Sequence, residues 1–163
     1  MYSCIDSGEV VEMKDISDEN QARKSWMSLL AKAPAGRVGE LLDTLGQRPL
    51  HEWLRKPEIG STMVRGRAGG TGAPFNLGEM TITRCALKLS DGTVGHAYIQ
   101  GRRKADAEAA ALVDALMQTA QAPGVQSAIL DPLRAEHDAA KAKRAAKAAA
   151  TKVDFFTMVR GED

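Results

Sequence analysis

Apolar residues at Trp26, Leu29, Leu30 and Ala33 recur at i, i+3, i+4 and i+7, the spacing of a single helix face. They predict a first helix, with Asp18 placed as its cap. Pro34 and Gly36 break that pattern, and Val38, Leu41, Leu42 and Leu45 form a second short face ended by Gly46. Leu50 to Leu54 fits either a further helical turn or a strand, with Trp53 plugging the core beside it.

From Glu58 the period shortens to that of strands. Ser61 to Arg67, Met80 to Leu89 and Val94 to Gln100 are the three strand candidates. Asp91-Gly92, at the centre of Ser90–Thr93, is the strongest short hairpin signal between the last two. On the middle strand Cys85, Leu87 and Leu89 share one face, while Ile82, Arg84, Ala86 and Lys88 share the other. That alternation fits an antiparallel sheet with helices over one side.

After Gly101, a broad helical stripe runs through Ala105, Ala109, Leu112, Val113, Leu116, Met117 and Ala120. Pro123-Gly124 punctuates, and a last long helix is expected over about 125–150, its C-terminal half rich in alanine. The pattern predicts an α+β domain: a small antiparallel sheet covered by helices, with a long C-terminal helix and an apolar C-terminal tail. Residues 1–19, with six acids against Lys14, read as an acidic mobile leader, leaving 20–163 as a single domain. The tail, 153–163, carries Phe155, Phe156, Met158 and Val159 directly after a solvated helix, a burst that reads as a docking segment for a partner or the core.

Composition narrows the function classes. A net charge of +1 supplies no global attraction to nucleic acid or a membrane surface. No apolar run approaches the roughly 20 residues of a membrane span, and no signal-peptide pattern opens the chain. Cys4 and Cys85 have neither metal-ligand nor disulfide-framework spacing, which points to a reducing, cytoplasmic setting. His51, His96 and His137 lie far apart with no partner at ligand spacing, and Glu79 has no second acid beside it. No catalytic residue and no metal site is assigned.

The densest candidate chemistry lies between Met63 and Arg84. Gly66, Gly69, Gly70 and Gly72 fall within seven residues, beside Arg65 and Arg67. Backbone N–H groups freed by glycines, with arginine forks and Arg84 further along, can hold phosphate or another oxyanion. The stretch matches neither the P-loop nor the dinucleotide fingerprint, and a plain Gly-rich connection between two strands with solvated arginines is the favoured reading, anion binding the alternative. Residues 134–152 hold six bases against two acids, so the last helix is either a solvated face or a contact for nucleic acid phosphates.

Three segments, RGRAGGTGAPFNLGEMTITR, GHAYIQGRRKADAEAAALVDAL and KVDFFTMVRGED, closely resemble the G subunit of the bacterial carbon–phosphorus lyase system. The resemblance covers roughly residues 23–162 in the same order and spacing, leaving the leader outside it. It implies a cytoplasmic subunit of a core complex with the H, I and J subunits, assembled as a dimer of heterotetramers that degrades phosphonates. With H, I and an ATPase-like L subunit, such a subunit supports formation of α-D-ribose 1-methylphosphonate 5-triphosphate, in which a phosphonate replaces adenine at C1′ of ATP. The resemblance places the metal and the iron–sulfur/S-adenosylmethionine centres on other subunits, implies no cofactor bound by this chain, and carries over no catalytic residue. It leaves two roles for the Gly/Arg segment: shaping an interface, or holding phosphate or phosphonate.

Overall fold

A computed structural model describes residues 13–152. Helices α1 (Met13–Lys32) and α2 (Arg37–Thr44) lead into strands β1 (His51–Arg67), β2 (Pro74–Leu89) and β3 (Val94–Gln100). Helix α3 (Lys104–Leu116) follows, then a short α4 (Ala122–Val125), a π turn (Gln126–Leu130) and α5 (Asp131–Ala150). The sheet is antiparallel throughout, in the order β1-β2-β3, as the alternation predicted. No helix among the described residues is long and apolar enough to cross a membrane.

The core lies between the inner sheet face and the helices. Cys85, Leu87 and Leu89 of β2 and Ala97 and Ile99 of β3 meet Ala107, Ala110, Ala111, Leu112 and Val113 of α3. Leu30 of α1, Val38 and Leu42 of α2, and Ile129, Leu130 and Leu133 at the π turn and α5 complete it. Alanine dominates the sheet-facing side of α3, so that helix packs close to the strands. At Gly95 the approach is closest: a Cβ there would run into the Ala111 carbonyl oxygen and crowd Ala115. The Asp91-Gly92 turn forms as expected, with Gly92 at φ 91° and Asp91 Oδ1 accepting from Thr93 N at 2.8 Å.

Several boundaries differ from the sequence expectation, each for a local reason. Backbone helix begins at Met13, so Asp18 lies inside α1 rather than at its head. Leu50–Leu54 resolves as strand, with β1 starting at His51 and Trp53 packed against the core. The last helical run starts at Ala122 instead of Val125, with Pro123 at its first turn. Pro132 lacks the N–H that would bond back one turn, and the preceding residues widen into the π turn that absorbs the loss. The tail residues Phe155, Phe156, Met158 and Val159 lie outside the described residues.

Cys85 donates its thiol to the Ala107 carbonyl at 3.1 Å. Burial first, and then the negative charge of Glu108, push its thiol from 9.0 up to about 12. As pH rises from 9 towards 12, the unfolded chain loses a proton that the folded chain keeps, so stability falls across that window. Iodoacetamide at pH 8 is expected to modify Cys85 only on unfolding; rapid native labelling in a peptide map would contradict the buried thiol. Gly95→Ala is expected to destabilise by about 3 kcal/mol through overpacking against α3, measured by urea unfolding; a loss below about 0.5 kcal/mol would contradict that packing.

Candidate functional site

Pairing of β1 with β2 runs from His51↔Leu89 out to Arg67↔Pro74, whereas β3 pairs only with residues 82–88 of β2. Beyond Ile82 the two long strands therefore continue as a bare ribbon, roughly 23 Å long at strand rise, that leaves the body of the domain. Strand β2 begins at Pro74 rather than Met80, in the ribbon where neither face is buried and no apolar alternation marks it, whereas the extra residues of β1, from His51 on, lie in the body opposite Ile82–Leu89.

The glycines serve the tip of this ribbon. Ala68–Gly70 make a 3₁₀ turn in which Gly69 and Gly70 take φ of 60° and 80°. Gly72 N donates to Ala68 O at 2.9 Å, and a Cβ at Gly72 would meet that oxygen at 2.8 Å. Turn geometry alone thus accounts for Gly69, Gly70 and Gly72. What was read as one glycine-rich segment from Met63 to Arg84 is two strands and a short turn between Arg67 and Pro74.

Strand alternation divides the ribbon's side chains between two faces. Arg65 and Arg67 fall on the side that continues the helix-covered face, with Ile59 and Met63. Arg67 Nη1 donates to Gly72 O at 3.1 Å, whereas Arg65 makes no hydrogen bond or ion pair among the described residues. The two arginines, Gly66, Gly70 and Pro74 border a shallow open hollow. Arg84 does not join them. It sits about seven ladder positions away on the opposite face, where its Nε donates to Glu58 Oε1 at 2.7 Å. Glu79 pairs across the ladder with Met63 and faces solvent.

The opposite face of the ribbon holds a feature the sequence reading missed. Gly78 pairs with Val64 and Asn76 with Arg65, so Leu77 is an extra, bulged residue. The bulge resets the alternation so that Phe75 and Leu77 fall on the side of Val64 and Met80, where both lie within 3.9 Å of the Cβ position at Gly66. With Val64, Met80 and Ile82 they form an apolar stripe, on which Phe75 is 46% and Leu77 68% exposed. Spacing by glycines hid this stripe; the only sequence signal was the presence of large apolar residues inside a glycine-rich run.

Buried polar groups elsewhere have structural partners. Asp114, fully buried, accepts from Arg23 Nε (3.1 Å) and Nη2 (2.6 Å), Trp26 Nε1 (2.9 Å) and the His96 backbone N–H (2.8 Å). Thr83 Oγ1 donates to Gly101 O and accepts from Arg103 N, and Asp106 holds Gly36 N and Arg103. The histidines stay apart: His51 stacks edge-on to Trp53, His96 points out from β3, and His137 pairs with Asp138 on α5. The bases of α5 lie on a helix exposed from Asp138 to Ala150. No cluster of His, Cys, Asp or Glu suited to a metal ion occurs among the described residues.

Residues 21–161 match the family model described as phosphonate metabolism protein PhnG. The chain is also 45% identical over 141 residues to the alpha-D-ribose 1-methylphosphonate 5-triphosphate synthase subunit PhnG of Rhizobium meliloti (strain 1021), a match covering 86% of this chain and 90% of that relative.

Proposed function

Because this chain belongs to the PhnG family of phosphonate metabolism proteins, we propose that it works as an assembly subunit of the carbon–phosphorus lyase complex. In this reading it supports formation of α-D-ribose 1-methylphosphonate 5-triphosphate from ATP and a phosphonate, in the cytoplasm, beside H, I, J and L subunits, with the metal and radical centres on I and J. The observation that carries it is how the buried ionisable groups are used. Asp114 is saturated by donors that tie elements together, and the Cys85 thiol is held protonated against Ala107 O. Groups engaged in this way stabilise a scaffold and are poorly placed to move protons or attack a substrate.

A second reading is favoured by one feature, the pair of arginines at the ribbon tip. Arg65 and Arg67 emerge on one face, and Arg65 carries no acidic partner among the described residues. A guanidinium left in this way suits a triphosphate or phosphonate oxygen supplied within the assembled complex. Here the chain contributes a binding group to a site completed by its partners.

The two readings separate experimentally. Purified chain alone is expected to show no ATP nucleosidase turnover, and measurable turnover would refute the assembly role. In the reconstituted complex, Arg65→Ala with Arg67→Ala is expected to raise KM for ATP or phosphonate about tenfold if the arginines hold an anion, the loss of one charge-assisted contact. Unchanged kinetics in an intact complex would leave the assembly role alone standing.

A further inference from the structure

A two-stranded ribbon gains little from packing and is marginal alone in water. This one nevertheless displays apolar side chains on both faces: Val64, Phe75, Leu77 and Met80 on one, Ile59 and Met63 on the other. Ile59 and Met63 are each close to half exposed. Contiguous apolar surface of this kind on a projecting element marks a contact with another macromolecule. Its base is rigid: Ile82 is buried, Thr83 is fixed to the β3–α3 connection, and Gly101 N donates to Thr81 O at 2.8 Å.

Size and charge identify the kind of occupant. Taking in both faces and both edges of an arm roughly 23 Å long and about 10 Å across would cover on the order of 900 Å², near the ~800 Å² that one partner gives to a standard interface. One face laid on a flat surface would cover only about a quarter of that, which favours a cleft. A second copy fits poorly. Toward the body the outer face passes into Arg84, Glu58, Arg55, Glu52 and Lys88, joined as ion pairs. Antiparallel pairing of two copies along the whole outer face would set Phe75 and Leu77 over those charges and strip them of water. Edge pairing that continued along β1 into the body would be interrupted by Pro57 and by register shifts between Trp53 and Glu58.

We infer that the ribbon 59–67/74–82 inserts into an apolar cleft of a different protein chain, one of the partner subunits, with Phe75 and Leu77 as its anchors. This rests on the assembly reading above and extends it to a surface and a kind of partner. Insertion also carries the Arg65–Arg67 tip to the far end of the cleft, so an anion held there would lie within the partner rather than on this chain.

The test uses the full-length chain co-expressed with the H, I and J subunits of the same bacterium. Wild-type chain should co-purify in fixed stoichiometry; its failure to assemble would overturn the assembly reading, and this inference with it. Phe75→Glu with Leu77→Glu should cut co-purification at least tenfold while shifting the isolated chain's Tm by no more than about 2 °C, because both side chains already face water. Assembly of that variant at wild-type stoichiometry would overturn the inference while leaving the assembly reading intact. Hydrogen exchange on the wild-type supplies a measurement independent of the variant. Amides in 59–67 and 74–81 should slow at least tenfold in the complex relative to the free chain, and unchanged exchange there would overturn the inference. A free-chain dimer broken by the same substitutions would assign the face to a second copy and equally overturn it.

Discussion

The fold turns on the carboxylate of Asp114. It lies in the last turn of α3 with no solvent contact, and every donor that satisfies it comes from another element: the Arg23 fork and Trp26 indole from α1, and the His96 amide from β3. A buried carboxylate costs several kcal/mol unless it is paired and fully hydrogen-bonded, so the arrangement is close to all-or-none. Helix α1 must cross at one register, and β3 must lie close enough for an amide to reach. Gly95 makes that approach possible, since its missing Cβ lets α3 settle against the strand immediately before His96. The apolar core supplies most of the stabilisation, but it tolerates sliding; the carboxylate does not. A second polar staple works at the other end of β3, where Arg103 joins Asp106, the Ala33 carbonyl and the Gln100 carbonyl.

The body of the domain was legible because burial leaves a periodic trace. Cys85, Leu87 and Leu89 alternate in sequence and line the inner face, and Asp91-Gly92 marks the turn that fixes the register of β2 on β3. The helix stripes at Leu29–Leu30, Leu41–Leu42 and Leu112–Leu116 likewise face the core. Asp114 was invisible because a single polar residue within an apolar stripe carries no sign of its partners, which lie about 18 and 90 residues away. The ribbon was half legible, Ser61–Arg67 as a strand candidate but Pro74–Glu79 not, and for a different reason. Neither face is buried within this chain, so selection for a covered side leaves no period of two, and the glycines required by the tip drew attention to the wrong atoms. Arg84 was grouped with Arg65 and Arg67 by nearness in sequence, whereas the ladder sends it to the other face and back toward the body.

The molecule is therefore uneven in how its surface energy is resolved. Among the described residues of the body, no buried side-chain nitrogen or oxygen lacks a partner. The ribbon satisfies its backbone through the ladder but leaves its apolar side chains in water. An arm whose backbone is already paired in a ladder loses less conformational freedom on binding than an unpaired segment would, so more of the apolar area it buries is available as affinity. The Arg84–Glu58 pair, Ile82 and the Thr83–Gly101 bond fix where the arm leaves the sheet, and the bulge at Leu77 fixes which way its anchors point. A packed body that orients an apolar arm matches the proposed docking of that arm into another chain. Arg65 and Arg67 sit at the far end of this arm, beside the open hollow at its tip. Their guanidinium groups lie at the end of a lever whose length is set by the β1–β2 ladder, well away from the carboxylate that holds the body together.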